Sequence, residues 1–111
     1  MAAHAFGAVQ DIGPDRDAGI ASIATAFGAR ATVRLSIGLW GASALLMLAV
    51  PWPGPLAALL AVPYLVNALP WWNVTDLEAG ATNVAWRRFI GLNYGCGFAV
   101  TLLLIAAWNA A

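Results

Sequence analysis

Three long apolar segments limit the folds open to this chain. Residues 31–50 are a run of twenty with one charge, Arg34, residues 89–108 are a run of twenty with none, and residues 56–72 have Asn67 as their one strongly polar residue. About 20 apolar residues in a helix cross the hydrocarbon core of a bilayer, and no segment shows the period-two alternation of a strand. The sequence therefore predicts an all-α, polytopic membrane helix bundle with these three segments as transmembrane helices.

The composition agrees with a membrane protein and excludes one class of partner. The chain is 62% hydrophobic and 9% charged, whereas soluble domains are about 25% charged. Five Arg and five acidic residues cancel, and there is no Lys, so no basic surface is available for a nucleic-acid backbone. We therefore expect membrane lipid around the chain and no nucleic acid. The single Cys96 lies in an apolar run and is interpreted as a packing residue.

The arginines indicate how the chain lies across the membrane. All five fall in residues 1–34 or in the segment Asn73–Arg88, and none lies in the proline-rich turn at 51–55. The positive-inside rule places such loops in the cytoplasm. The first ten residues lack the basic start and the cleavage site of a signal peptide. We interpret them as the end of a preceding membrane helix whose beginning is absent, which makes the chain a fragment.

An acidic cluster is the strongest chemical signal in the sequence. Asp11, Asp15 and Asp17 lie within seven residues of a chain that otherwise avoids charge. Asp11 and Asp15 are spaced i,i+4, which brings both carboxylates to one face of a helix. Two such groups repel unless they share a cation, and Mg²⁺ prefers carboxylates together with water and phosphate. We predict that Asp11 and Asp15 hold Mg²⁺ and a diphosphate, with Arg16 contacting phosphate oxygens.

Two further residues belong to the predicted site. His4 and Gln10 recur toward the same side of a helix as the two aspartates, and we predict that they contact substrate. His4 is equally well explained as a packing histidine. The alternative for the whole cluster is a solvated helix end, in which Gly13 and Pro14 form a turn and Asp17 caps the next segment.

These residues carry a resemblance to a known family. The stretch from His4 to Arg34 reads HAFGAVQDIGPDRDAGIASIATAFGARATVR. It resembles the second aspartate-rich motif and the following helix of the UbiA superfamily of intramembrane prenyltransferases. Within that superfamily it is most similar to actinobacterial lycopene elongases, which make fifty-carbon carotenoids.

The resemblance implies a larger architecture than the chain itself contains. Members of the superfamily are nine-helix bundles in which two aspartate motifs face each other across a cavity on the cytoplasmic side and bind Mg²⁺ with an allylic diphosphate. Asp11 and Asp15 match the second motif, and the first motif has no match here. Residues 1–111 are thus predicted to be the C-terminal part of a UbiA-type domain, with residues 1–30 as helix end and aspartate-rich loop, and with the missing N-terminal half as a partner.

The resemblance also implies an activity. It points to an Mg²⁺-dependent prenyltransferase of the bacterial inner membrane that uses dimethylallyl diphosphate as donor and a hydrophobic acceptor such as lycopene. Asp11 and Asp15 are then the catalytic residues, and the isolated chain is expected to be incomplete and inactive. Aromatic residues could line the acceptor tunnel or only anchor the helices at the membrane interface; they are Tyr64, Trp71, Trp72 and Tyr94.

Alternatives to a lycopene elongase remain open at this point. The acidic motif is shared by quinone-directed and lipid-directed UbiA prenyltransferases. A non-catalytic small membrane protein and an inactive fragment are the other two hypotheses.

The predicted topology is testable by cysteine labelling. In a Cys96→Ser background, a cysteine at Gly54 should react with a membrane-impermeant reagent added outside intact cells, and one at Gly80 should not. Protection at Gly54 together with reaction at Gly80 would show that the arginine-rich loops lie outside.

Overall fold

The computed structural model describes residues 1–110 of the chain, and Ala111, the end of the predicted domain, lies outside the described residues. Six α-helices follow one another along the chain, and no strand occurs among residues 1–110. They are α1 (Ala2–Val9), α2 (Ile12–Ala18), α3 (Ile23–Phe27), α4 (Ala29–Met47), α5 (Ala61–Ala68) and α6 (Asn83–Ala110). The prediction of an all-α chain is confirmed.

The predicted aspartate-rich loop is largely helical. Helix α1 agrees with the predicted helix end, and α2 follows it after a break at Gln10 and Asp11. Gly19 ends α2 in the left-handed conformation, φ 69°, which glycine adopts without steric cost. Ser22 and Thr25 then form a reciprocal capping box at the start of α3.

The first predicted transmembrane segment forms helix α4. Gly28, with φ 83°, ends α3, so α4 starts at Ala29, slightly ahead of the predicted residue 31. The helix stops at Met47, short of the predicted residue 50. Pro51 lies just beyond this end, and a proline has no N–H to continue the helical hydrogen bonding.

The second predicted segment is helical but not uniform. A 3₁₀ helix, Gly54–Leu60, leads directly into α5, and a second 3₁₀ helix, Leu69–Trp71, ends it. Pro63 lies in the first turn of α5, next to the change from 3₁₀ to α geometry, and it leaves one helical N–H donor missing there. The stretch thus keeps the length of a membrane helix in spite of its prolines.

The third predicted segment is part of a longer helix. A 3₁₀ helix, Ala79–Thr82, runs into α6, which starts at Asn83 instead of residue 89. Arg87 and Arg88 therefore lie on the helix and not in the preceding loop. Arginine is a good helix former, and its long side chain can reach the polar zone from a helix that enters the membrane.

Two helical stretches are long and apolar enough to cross a membrane, namely Gly54–Trp71 and Ala79–Ala110. Helix α4, which contains most of the first predicted transmembrane segment, has 19 residues but is not one of these two stretches. It carries Arg30 and Arg34 in its first two turns. Large apolar side chains face outward along these helices, including Leu45 (70% exposed), Phe98 (69%) and Trp108 (84%). Extended apolar surface of this kind indicates a membrane protein.

Four aromatic rings from four different helices form the centre of the core. Phe89 of α6 lies 4.9 Å from Phe6 of α1 in an edge-to-face arrangement and 4.9 Å from Trp40 of α4. Its ring also stacks against Tyr64 of α5 at 5.7 Å. Phe6 and Phe89 are fully buried. This aromatic cluster therefore joins α1, α4, α5 and α6 at one point.

Removing the central ring should destabilise the chain more than removing an exposed one on the same helix. Phe89→Ala leaves a cavity among three other rings, and such a change costs about 3–5 kcal/mol of unfolding free energy. Phe98→Ala is the matched control, because Phe98 is 69% exposed. Unfolding in detergent micelles, followed by circular dichroism, should give a much lower midpoint for Phe89→Ala than for Phe98→Ala, and equal midpoints would show that the cluster does not hold the helices together.

Candidate functional site

One large pocket receives most of the predicted site residues. It has a volume of about 960 Å³ and lies between α1, α2, the start of α3, α4 and the first turn of α6. Its polar lining residues include His4, Gln10, Asp11 and Asp15. The prediction that these four side chains share one side of the molecule therefore agrees with the structure.

The rest of the pocket is mainly apolar. Its walls are formed by Met1, Ala5, Gly7, Ala8, Ser22, Ile23, Leu35, Leu39 and Trp86. A concave site with an apolar wall and a few polar groups at one edge suits a ligand that has a polar head and a hydrocarbon body.

The two aspartates keep the helical relation that their spacing predicts. Asp11 precedes the first residue of α2, and its carbonyl accepts the N–H of Asp15 at 2.8 Å. Asp15 is half-buried, whereas Asp11 is exposed. Pro14 does not break this turn, because it lies in the first turn of α2, where an N–H would have no helical acceptor. Both carboxylates therefore face one pocket from one turn of chain.

The structure also bears on the solvated-loop alternative. Gly13 and Pro14 are part of α2 and do not form a separate turn. Asp17 does not cap the next helix, since Ser22 caps α3. Asp17 is exposed and is not among the residues that line the pocket, which makes it a useful control for the other two aspartates.

A hydrogen bond fixes one edge of the pocket. The side-chain amide of Asn83, at the start of α6, donates to Oε1 of Gln10 at 2.6 Å. Gln10 lies in the break between α1 and α2, directly before Asp11, so this bond holds that break against the start of α6.

Arg16 lies apart from the other predicted site residues. Its Nη1 forms an ion pair with Oδ2 of Asp76 at 2.8 Å, and Arg16 is not among the lining residues of the pocket. The other oxygen of Asp76, Oδ1, accepts the backbone N–H of Ala29 at 2.8 Å. The N–H of Ala29, and then the guanidinium of Arg16, hold the pKa of Asp76 below its usual value.

A glycine allows the wall of the pocket to form. A Cβ atom on Gly7 would lie 2.9 Å from Cζ3 of the Trp86 ring, closer than real Cβ atoms approach. Trp86 also lines the pocket. The absent side chain at residue 7 therefore lets the indole of α6 lie directly on α1.

The aromatic residues suggested for an acceptor tunnel lie in different places. Tyr64 belongs to the aromatic cluster, and its hydroxyl donates to Oδ1 of Asn93 at 2.8 Å. Tyr94 is 80% exposed. The ring of Trp72 lies under the guanidinium of Arg34, at 4.8 Å from the ring centroid. None of these aromatic residues is among the lining residues of the 960 Å³ pocket.

The donor set of the pocket fits Mg²⁺ only in part. Among residues 1–110, no group of three or more His, Cys, Asp or Glu side chains is placed to hold a metal ion. Mg²⁺ is commonly bound through one or two carboxylates together with waters and substrate phosphates. Asp11 and Asp15 match that smaller set.

Three residues of this region were not singled out by the sequence. Asp76, between α5 and α6, contacts Arg16. In the first turn of α6, Asn83 contacts Gln10 and Trp86 lies against Gly7. Asn83 and Gln10 are 73 residues apart. No local pattern signals a pairing at that separation, and Asp76 looked like an ordinary loop acid.

Comparison with known proteins shows close relatives that are longer than this chain. The chain is 42% identical over 106 residues, 96% of its length, to a protein of Corynebacterium glutamicum named lycopene elongase/hydratase. It is 43% identical over 105 residues to the C(50) beta-cyclic carotenoids biosynthesis protein LbtBC of Dietzia sp. strain CQ4. The chain spans 37% of the length of the first relative and 24% of the second. No protein-family model matches the chain, and no solved structure matches it.

The lowered pKa of Asp76 predicts how stability depends on pH. A carboxyl whose pKa is lower in the folded state stabilises the fold above its unfolded pKa, and this contribution is lost as the pH falls through the folded pKa. The wild-type chain should therefore melt at a higher temperature than Asp76→Asn at pH 7, and the difference should shrink below about pH 4. Thermal melts across pH measure this, and a difference that does not change with pH would contradict it.

Proposed function

We propose that this chain contributes the diphosphate-binding side of a membrane prenyltransferase of carotenoid biosynthesis. The observation that carries the proposal is the pocket in which Asp11 and Asp15 meet an apolar wall. The names of the relatives support the pathway. The resemblance of residues 4–34 to the second UbiA aspartate motif supports the reaction class.

Asp11 and Asp15 bind the polar end of the donor in this proposal. They would hold Mg²⁺, which supplies positive charge to the departing diphosphate. Gln10 lies at the edge beside Asp11 and is held in place by Asn83, so it is suited to orient the diphosphate. His4, which is exposed and lines the pocket, contributes a further hydrogen-bonding group.

The apolar wall protects the reacting carbon. The allylic carbon–oxygen bond breaks, and its electron pair leaves with the diphosphate. A double bond of the acceptor then gives its electron pair to the allylic cation to form the new carbon–carbon bond. The acceptor cation becomes neutral by losing a proton from a neighbouring carbon, or by adding water and then losing a proton from the new oxygen. Leu35, Leu39 and Trp86 exclude water from the first cation, which would otherwise be hydrolysed.

The acceptor in this proposal is lycopene, and the donor is dimethylallyl diphosphate. Lycopene follows from the name of the Corynebacterium glutamicum relative and from the resemblance, whereas the donor follows from the resemblance alone. Helices α4 and α6, which form part of the pocket wall, carry exposed apolar side chains such as Leu35 and Ile90, so a hydrocarbon acceptor can approach from the lipid. The arginine distribution supports a site on the cytoplasmic side of the membrane, and the resemblance supports the bacterial inner membrane as its location.

Conservative changes in the two aspartates test the proposal. The assay enzyme is a chimera in which this chain replaces the matching stretch of the Corynebacterium glutamicum lycopene elongase/hydratase, expressed in lycopene-producing cells. Asp11→Asn and Asp15→Asn should each lower the rate about 10²–10⁴-fold, because each removes charge at a step that develops charge on the leaving group. Asp17→Asn is the matched control and should be far milder.

Each outcome of this assay has a defined meaning. A membrane-inserted chimera that makes no elongated carotenoid contradicts the proposal. If the chimera is active and Asp11→Asn and Asp15→Asn both turn over normally, the acidic cluster is a solvated helix end and not a diphosphate site. Activity on a quinone or lipid acceptor, without activity on lycopene, would contradict lycopene as the acceptor and support a prenyltransferase with a different acceptor.

The purified 111-residue chain alone should show no turnover with dimethylallyl diphosphate and lycopene. It spans 37% of its Corynebacterium relatives and presents two candidate carboxylate ligands in its pocket. Product detected by liquid chromatography would show that the chain forms a complete active site without further protein.

A further inference from the structure

The connection between α5 and α6, together with the first residue of α6, contacts the aspartate-bearing side of the molecule at three places. Arg34 donates from Nε to the carbonyl of Trp72 at 3.2 Å and from Nη2 to Oδ1 of Asn73 at 3.0 Å. Asp76 contacts α2 and α4, and Asn83 contacts Gln10. Among these contacts, only Asp76 joins three separate segments through one side chain.

Each carboxylate oxygen of Asp76 has a different partner. Oδ2 pairs with Arg16 of α2, while Oδ1 accepts the N–H of Ala29, the first residue of α4. Gly28, which precedes α4, provides no side-chain cap. Asp76 therefore caps α4 from a position 47 residues later in the chain, and a carboxylate is favourable at a helix N-terminus.

Helix α2 has few other contacts that fix its position. It has seven residues, of which only Ile12 is buried. A helix this short has little stability of its own, so its orientation depends on the contacts it makes. Arg16 directly follows Asp15, which lines the pocket, whereas Arg16 does not. The ion pair therefore anchors α2 beside one of its two pocket carboxylates.

We propose that Asp76 is a positioning residue that, through Arg16 and the N–H of Ala29, fixes where α2 presents Asp11 and Asp15 to the pocket. This assigns Arg16 a role through Asp76 in place of direct phosphate contact. The functional consequence rests on the proposed prenyltransferase site, whereas the structural consequence does not. Two experiments separate them.

The first experiment measures the placement of α2 in the 111-residue chain itself. Spin labels at Ala18→Cys in α2 and Ala42→Cys in α4, both exposed positions, report the distance between the two helices in a Cys96→Ser background. Pulsed electron paramagnetic resonance should give a narrow distance distribution for the parent chain. The distribution should broaden in Arg16→Gln and in Asp76→Asn.

Two variants control for loss of folding. Glu78→Gln removes an acidic charge from the same loop but affects only a local contact, in which Glu78 accepts from Thr75 at 2.9 Å, and it should leave the distribution narrow. Arg16→Gln leaves the cap on α4 intact, so it tests the ion pair even if Asp76→Asn unfolds. Narrow distributions in both Arg16→Gln and Asp76→Asn would overturn the proposal.

The second experiment measures turnover in the chimera described above. Arg16→Gln and Asp76→Asn, which misplace the two carboxylates, should each lower kcat about ten- to a hundredfold with little change in the KM for dimethylallyl diphosphate. Arg16→Lys, which keeps the positive charge, should retain most of the activity. The double variant Arg16→Gln/Asp76→Asn should be no slower than the worse single variant, since both changes break one interaction.

The kinetic outcomes also distinguish the two proposals from each other. A large rise in the KM for dimethylallyl diphosphate in Arg16→Gln, with normal kinetics in Asp76→Asn, would show that Arg16 binds the diphosphate directly. That result overturns the positioning role of Asp76 and leaves the proposed prenyltransferase site in place. Full activity of Asp11→Asn would contradict the proposed prenyltransferase site. The distance measurements would still decide whether Asp76 positions α2.

Discussion

The contacts of the Phe89 ring hold helices α1, α4, α5 and α6 together. Helices inside lipid gain no hydrophobic free energy by associating, so close packing must hold them. Phe89 touches Phe6, Trp40 and Tyr64, one from each of the other helices of the core. Aromatic pairs in these geometries are worth more than the area they bury. Through Phe6 the cluster holds α1, and α1 leads directly into the aspartates.

The polar side of the molecule is held by a different kind of contact. Arg34, Asp76 and Asn83 connect the α5–α6 connection to α2, α4 and Gln10 through hydrogen bonds and one ion pair. Polar contacts that are partly exposed to solvent are individually weak, but several of these hold the α5–α6 connection and the start of α6. The pocket thus lies between a rigid aromatic core and a polar layer that acid or salt can loosen.

The sequence predicted the helical class, the main helical segments and four polar residues that line one pocket, although Arg16 was grouped with them and lies apart. These depend on local properties, namely apolar run length and the i,i+4 spacing of Asp11 and Asp15. The start of α6 and the 3₁₀ geometry before α5 were not predicted, because the hydropathy pattern does not distinguish a helix from the loop that leads into it. The partners of Arg16 and Gln10 were also missed, because Asp76 and Asn83 lie far along the chain and meet them only in the folded structure.

The contact between Gly7 and Trp86 has an evolutionary consequence. Because the indole lies where a side chain of residue 7 would be, the two positions should covary among homologous chains. A homologue with alanine or serine at position 7 should carry a smaller side chain at position 86, and its pocket would have a different width beside the same aspartates. One pair of positions would then allow the hydrocarbon part of a ligand to diverge while the residues that bind its polar end stay unchanged.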